Sequence, residues 1–167
     1  MHLLDPAPGR LLVATPELVD PNFTHTVVYL LAVQDAGALG VVINRPSDTT
    51  VGEVMPQFSD AAVAPRVMFL GGPVGLDSVI GLGSMGTVDL AGDDDVEEAS
   101  IRLFAGSAGW GPGQLDDEID SGSWWVFESG PDDLLTEHPS RLWSEVLRRQ
   151  GGVTAWFALA TASPQFN

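Results

Sequence analysis

The sequence predicts an α+β protein, with a bent, mostly antiparallel, partly closed β-sheet of about six to nine strands and two or three helices packed on it. Three observations lead there. Short apolar runs rich in β-branched residues recur along the chain, the connections between them are mostly of hairpin length, and only a few segments carry helical spacing. Parallel βαβ units need longer crossovers, so a doubly wound sheet is not expected. A chain of 167 residues is read as one domain, 1–167, able to bury roughly 70% of its unfolded surface.

Residues 9–14, bounded by Pro8 and Pro16, form the first expected strand. Residues 15–23 are punctuated by prolines and read as an ordered loop with Leu18 and Phe23 turned inward. Thr26 to Val33 is apolar throughout, as a strand covered on both faces would be. A turn at Asp35, Gly37 and Gly40 then leads into Val41-Val42-Ile43, closing a hairpin that ends at Asn44-Arg45-Pro46. Ser47-Asp48-Thr49 is positioned to cap a short helix carrying Val51, Val54 and Met55. Residues 60–65 read as an alanine and proline linker, and Val67–Leu70, Val79–Leu82 and Thr87–Leu90 as further strands. Ser100–Ala105 is a strand that delivers the chain to the glycine-rich stretch Gly106–Gly113.

That stretch has four glycines in eight residues, and Pro112 and the acids Asp116, Asp117 and Glu118 are placed as the first turns of a helix would require. The expected organisation is strand, glycine turn, short helix over Gln114–Ile119, with Trp110 held over the junction. Trp124–Phe127 returns as a strand, and Ser129–His138 is a polar loop. Leu142, Trp143, Val146 and Leu147 recur at helical spacing after Pro139, and Gly151-Gly152 ends that helix. Val153 to Ala160 is expected as an edge strand.

Several blocks, in order, resemble the YqgE/AlgH family: residues 9–16, Asp20-Pro21-Asn22-Phe23, residues 37–46, Gly71-Gly72-Pro73-Val74, residues 109–115 with Glu118, and Trp124. The resemblance spans nearly the whole chain. It implies no agreed biochemical activity and no catalytic residue to carry over, and for one lineage a role in regulating alginate synthesis genes. Val33-Gln34-Asp35 stands where many members place a histidine, so a mechanism built on that histidine does not transfer.

The formal charge of −16 comes from 23 acidic residues against seven arginines and no lysine. Such a field repels phosphate and anionic lipid, which disfavours direct nucleic-acid binding and a membrane surface. Cysteine is absent, removing thiol nucleophiles and thiolate metal sites and suiting a reducing cytoplasm. Met1–Pro6 lacks the basic and apolar regions of a secretion signal, and the apolar run from Val153 is too short to span a bilayer. A cytoplasmic location is expected.

Candidate chemistry is thin. Gly81-Leu82-Gly83-Ser84-Met85-Gly86 matches the spacing of a dinucleotide loop, but the residues after it alternate like a strand instead of opening a helix, so a hairpin is the favoured reading. The acidic run Asp93–Glu98 lacks the alternating ligands and internal glycine of a calcium loop and reads as solvated. His2, His25 and His138 have no partner at ligand spacing, and Ser107 lies outside any nucleophile elbow. No catalytic, metal or cofactor site is therefore expected.

Asn44-Arg45-Pro46 is the sharper candidate, because an arginine fixed at a strand end presents a planar fork to a carboxylate or phosphate. The plainer use, and the one expected in a chain with 23 acids and seven arginines, is an internal pair between Arg45 and Asp20 or Glu118, with Asn44 capping a turn. The candidate crevice comprises Asp20, Asn44, Arg45, Gly109, Trp110, Gln114 and Glu118. The favoured function is a non-catalytic regulatory or interaction protein that binds a small anionic ligand or a protein partner. The alternative is a hydrolase-like enzyme using Asp20 or Glu118 with Arg45.

Overall fold

Alternation sets the first element. In β1 (Arg10–Ala14), Leu11 and Val13 enter one core cluster while Leu12 and Ala14 enter another, and all four are buried. Successive strand side chains point to opposite faces, so an unbroken apolar run marks a strand covered on both sides. The computed structural model describes residues 4–92 and 96–161. His2 and Asp93–Asp95 of the acidic run lie outside them.

The following elements are β2 (Val27–Gln34), β3 (Gly37–Val42), β4 (Pro46–Thr50), α1 (Val51–Val54), a 3-10 turn at Pro56–Phe58, β5 (Val67–Leu70), β6 (Val74–Gly83) and β7 (Gly86–Val88). The chain continues through β8 (Ile101–Trp110), α2 (Gln114–Asp120), β9 (Trp124–Glu128), α3 (Pro139–Gln150) and α4 (Gly152–Thr161). The nine strands form one sheet in the order β4-β5-β8-β3-β2-β1-β9, with β6 joined to β8 and β7 to β6. Its path is open, since β4 and β9 end it without pairing to one another. Strand pairing is antiparallel except between β5 and β8.

Strand β8 is the spine. Its first part carries β6 and β5, whereas Ala108–Trp110 pairs with β3. The long apolar cluster on one face of the sheet takes in Leu142, Trp143, Val146 and Leu147 of α3 and Ala158 of α4. The opposite face holds Trp110, Trp124 and Leu115 of α2. A third cluster, including Val51, Phe58, Met68 and Leu103, fills the β5–β8 side.

Five expectations are corrected. Gly106–Trp110 is strand, not turn; the bend is confined to residues 111–113, where Gly113 adopts φ 75° at the N-cap of α2. Gly106 of β8 and Gly72 opposite it serve close approach instead: a Cβ on Gly72 would lie 2.2 Å from the Ser107 carbonyl oxygen, and one on Gly106 would lie 2.5 Å from that of Gly72. Residues 46–50 form a strand, and Thr50 caps α1 in a reciprocal capping box with Glu53. Residues 60–65 are packed rather than a linker, with Ala61 and Ala62 buried and the Val63 amide donating to the Ile101 carbonyl. Residues 153–160 are helix, which raises the α-helix count to four among the described residues. Finally, β7 stops at Val88, two residues short of the expected end.

The GxGxxG segment is a hairpin, Gly83 facing Gly86 across a two-residue turn. Among the described residues no helix is long and apolar enough to cross a membrane.

Candidate functional site

The Asn44-Arg45 corner arises directly from the end of β3. Asn44 extends the β2–β3 pairing with its side chain: Oδ1 accepts from the Val27 amide at 2.9 Å, and Nδ2 donates to the His25 carbonyl at 2.9 Å. That leaves Arg45 to reach across to the loop before β2. Its Nη1 donates to the Asn22 carbonyl and its Nη2 to the Thr24 carbonyl at 2.9 Å. The loop is tightened from its other end by Asp20, whose Oδ1 accepts from the Asn22 amide and whose carbonyl accepts from Thr24 Oγ1.

Among the described residues, no carboxylate lies within ion-pairing distance of Arg45. Asp20 acts on it only through its field; burial lowers the guanidinium pKa and the Asp20 charge raises it in part. The expected internal pair with Asp20 or Glu118 is thus not formed among the described residues.

Beside Arg45 opens a groove of about 280 Å³ lined by Asn22, Val42, Arg45, Leu70, Gly72, Pro73 and Leu76. Leu70 and Leu76 are 44% and 58% exposed, so its apolar walls face water. Sequence reasoning missed these walls. Their signal is the Gly71-Gly72-Pro73 segment, in which only a side-chain-free residue fits against Ser107.

Trp110, Gln114 and Glu118 form a separate cluster. Glu118 Oε1 accepts the indole N–H groups of Trp110 at 3.2 Å and Trp124 at 3.0 Å, and Oε2 accepts from Gln114 Nε2 at 2.9 Å. The Gln114 Oε1 accepts the Gly111 amide. Trp110 is core, only 6% exposed, and does not wall the groove. Gly109 is exposed and has open space where its Cβ would stand. The seven candidate residues therefore divide into two groups rather than framing one crevice.

Phe23 connects the groups. It packs on Trp110 and Trp124, with centroid separations of 6.3 and 5.7 Å, while its chain neighbours supply the two carbonyls that hold Arg45.

His25 closes the loop with φ 56°, stacked 4.4 Å from Trp143. Burial first, and then the Arg45 charge, lower its pKa below 6.5. The unfolded chain therefore takes up this proton first, and stability falls as pH drops through 6.5 towards the lowered folded value. A His25→Asn variant, whose asparagine tolerates positive φ, is expected to lose stability less steeply between about pH 7 and 5 than the parent, as read from urea midpoints.

Among the described residues, no group of three or more histidine, aspartate or glutamate side chains is placed to hold a metal ion.

The AlgH-like family model, DUF179, matches residues 11–155. A UPF0301 protein of Streptomyces coelicolor is 44% identical, covering 95% of this chain and 94% of its own length. Another from Thermobifida fusca is 41% identical over the same shares. A crystal structure of a Corynebacterium diphtheriae protein superposes with a TM-score of 0.82 at 29% identity, covering 95% of this chain and 94% of that one. The solution structure of AlgH from Pseudomonas aeruginosa gives 0.67 at 28% identity over 98% of both chains. With a matching model over most of its length and relatives above 40% identity, the chain belongs to the AlgH-like, UPF0301 family.

Proposed function

We propose that the chain is a non-catalytic binding protein whose site is the groove at Arg45 and whose ligand is a small anion. One observation carries the reading. A half-buried guanidinium, held by two backbone carbonyls and unpaired with any carboxylate among the described residues, lines an apolar-walled groove. A cation kept in place but not neutralised is poised for an anion from outside.

The enzyme alternative has less support, since neither Asp20 nor Glu118 lines that groove and Glu118 is occupied by three donors. A protein partner is the second reading, favoured by the exposure of Leu70, Val74 and Leu76 along the rim. A regulatory output fits the loop through Phe23, which joins the groove to the tryptophan cluster. A reducing cytoplasm fits a chain without cysteine. Direct nucleic-acid binding stays outside the proposal because the net charge is −16.

The test is a titration of the full chain with small anions, monitored by amide chemical shifts. Saturable shifts at Asn22, Arg45 and residues 70–76, weakened at least tenfold by Arg45→Gln, are the expected result. Shifts spread along β6 and absent at Arg45 favour the partner reading. Shifts centred on Trp110 and Glu118 remove the proposed site.

A further inference from the structure

Resting on the anion site proposed above, we infer that its ligand is a small monocarboxylate carrying an apolar tail. Arg45 is the sole basic side chain among the residues that line the groove. A guanidinium has five N–H donors, and the carbonyls of Asn22 and Thr24 take one each, which leaves three for a ligand. One cation matches one negative charge. A phosphate dianion would need more compensation than a single guanidinium provides, in a chain of net charge −16 whose Asp20 field already reaches this arginine.

The other walls select the group attached to that charge. Val42, Leu70, Pro73 and Leu76 are apolar, and three of them stand substantially in water until something covers them. A ligand with no tail would leave that surface wet. A tail without a charge would leave the free guanidinium donors facing apolar atoms.

Size narrows the class. A groove of about 280 Å³ lies at the small end of ligand pockets, a scale that suits a medium-chain or aryl-substituted acid.

Titration calorimetry on the full chain with octanoate, phenylacetate, acetate, 1-octanol and inorganic phosphate tests the class. Octanoate or phenylacetate binding at least tenfold more tightly than acetate and phosphate, with no binding of 1-octanol, is the expected result. Arg45→Gln is expected to weaken it tenfold or more. Because that residue also braces the 20–25 loop, Leu76→Asp provides a second arm. It leaves both Arg45 hydrogen bonds in place, sets a negative charge at an exposed wall, and is expected to weaken octanoate at least fivefold.

Phosphate or acetate binding as tightly as octanoate, with loss in both variants, overturns the tailed-acid assignment and leaves the anion site standing. Octanoate affinity unchanged in both variants overturns the assignment and places its binding elsewhere. If, in addition, no anion responds to Arg45→Gln, the anion site itself is overturned.

Discussion

Replacing Arg102 by alanine is expected to cost about 3–5 kcal/mol of unfolding free energy, the largest loss of any single substitution considered. Arg102 is 1% exposed near the start of β8, where its Nη1 donates to the Leu134 and Thr136 carbonyls and its Nη2 to that of Ala64. Its guanidinium lies 4.3 Å from the centre of the Phe69 ring. Burial lowers its pKa to about 10, only partly opposed by the charge of Glu137. Two effects therefore compete in the variant. Removing a buried cation relieves its desolvation, but three carbonyls lose their donor and a cavity opens beside Phe69. Hydrogen bonds to a charged donor contribute about 1.5–3 kcal/mol each, so the second effect wins. Arg102→Met separates the two, because it fills much of the volume without restoring the donors. Its expected loss is roughly half that of alanine, read by urea denaturation monitored with far-ultraviolet circular dichroism.

Gly72→Ala is expected to lose about 2–4 kcal/mol. The added methyl would sit 2.2 Å from the Ser107 carbonyl oxygen and 2.3 Å from its carbon, with φ at 151°. Both obstacles are backbone atoms, and Ser107 is tied to Val74 in the β6–β8 ladder, so neither can swing aside as a flexible side chain would. Gly109→Ala is the control, within about 0.5 kcal/mol of the parent, because nothing lies within 4 Å of its Cβ position. A cost at Gly109 equal to that at Gly72 would contradict the packing described for β8.

These two glycines also show what the sequence reveals and what it hides. Strands such as β1 and β2 were legible because β-branched and leucine-rich runs bounded by turn residues have few other uses. Glycine density was misleading at Gly106–Trp110, since the same residue serves a bend and a close-packed strand, and only the neighbour across the ladder decides between them. The run from Val153 was ambiguous for a different reason. A uniformly apolar segment has no period, and its alanines and the docking of Ala158 and Phe157 on the main core select a helix. Arg45 stood out from its Asn-Arg-Pro setting, whereas Leu70 and Leu76 did not, because the groove is lined by segments distant in sequence, Asn22, Val42 with Arg45, and residues 70–76. The Trp110, Gln114 and Glu118 spacing was visible, but not that Trp124 would arrive to share the same carboxylate.

The position of Phe23 has an optical consequence. Trp110 and Trp124 lie 6.0 Å apart, nearly edge to face, with both N–H groups on one carboxylate and the Phe23 ring against each of them. Any displacement of the carbonyls on either side of Phe23 moves a ring that touches two coupled chromophores. If the anion proposed at Arg45 displaces those carbonyls, a change in indole emission during the titration is the expected, label-free readout on the far side of the 20–25 loop.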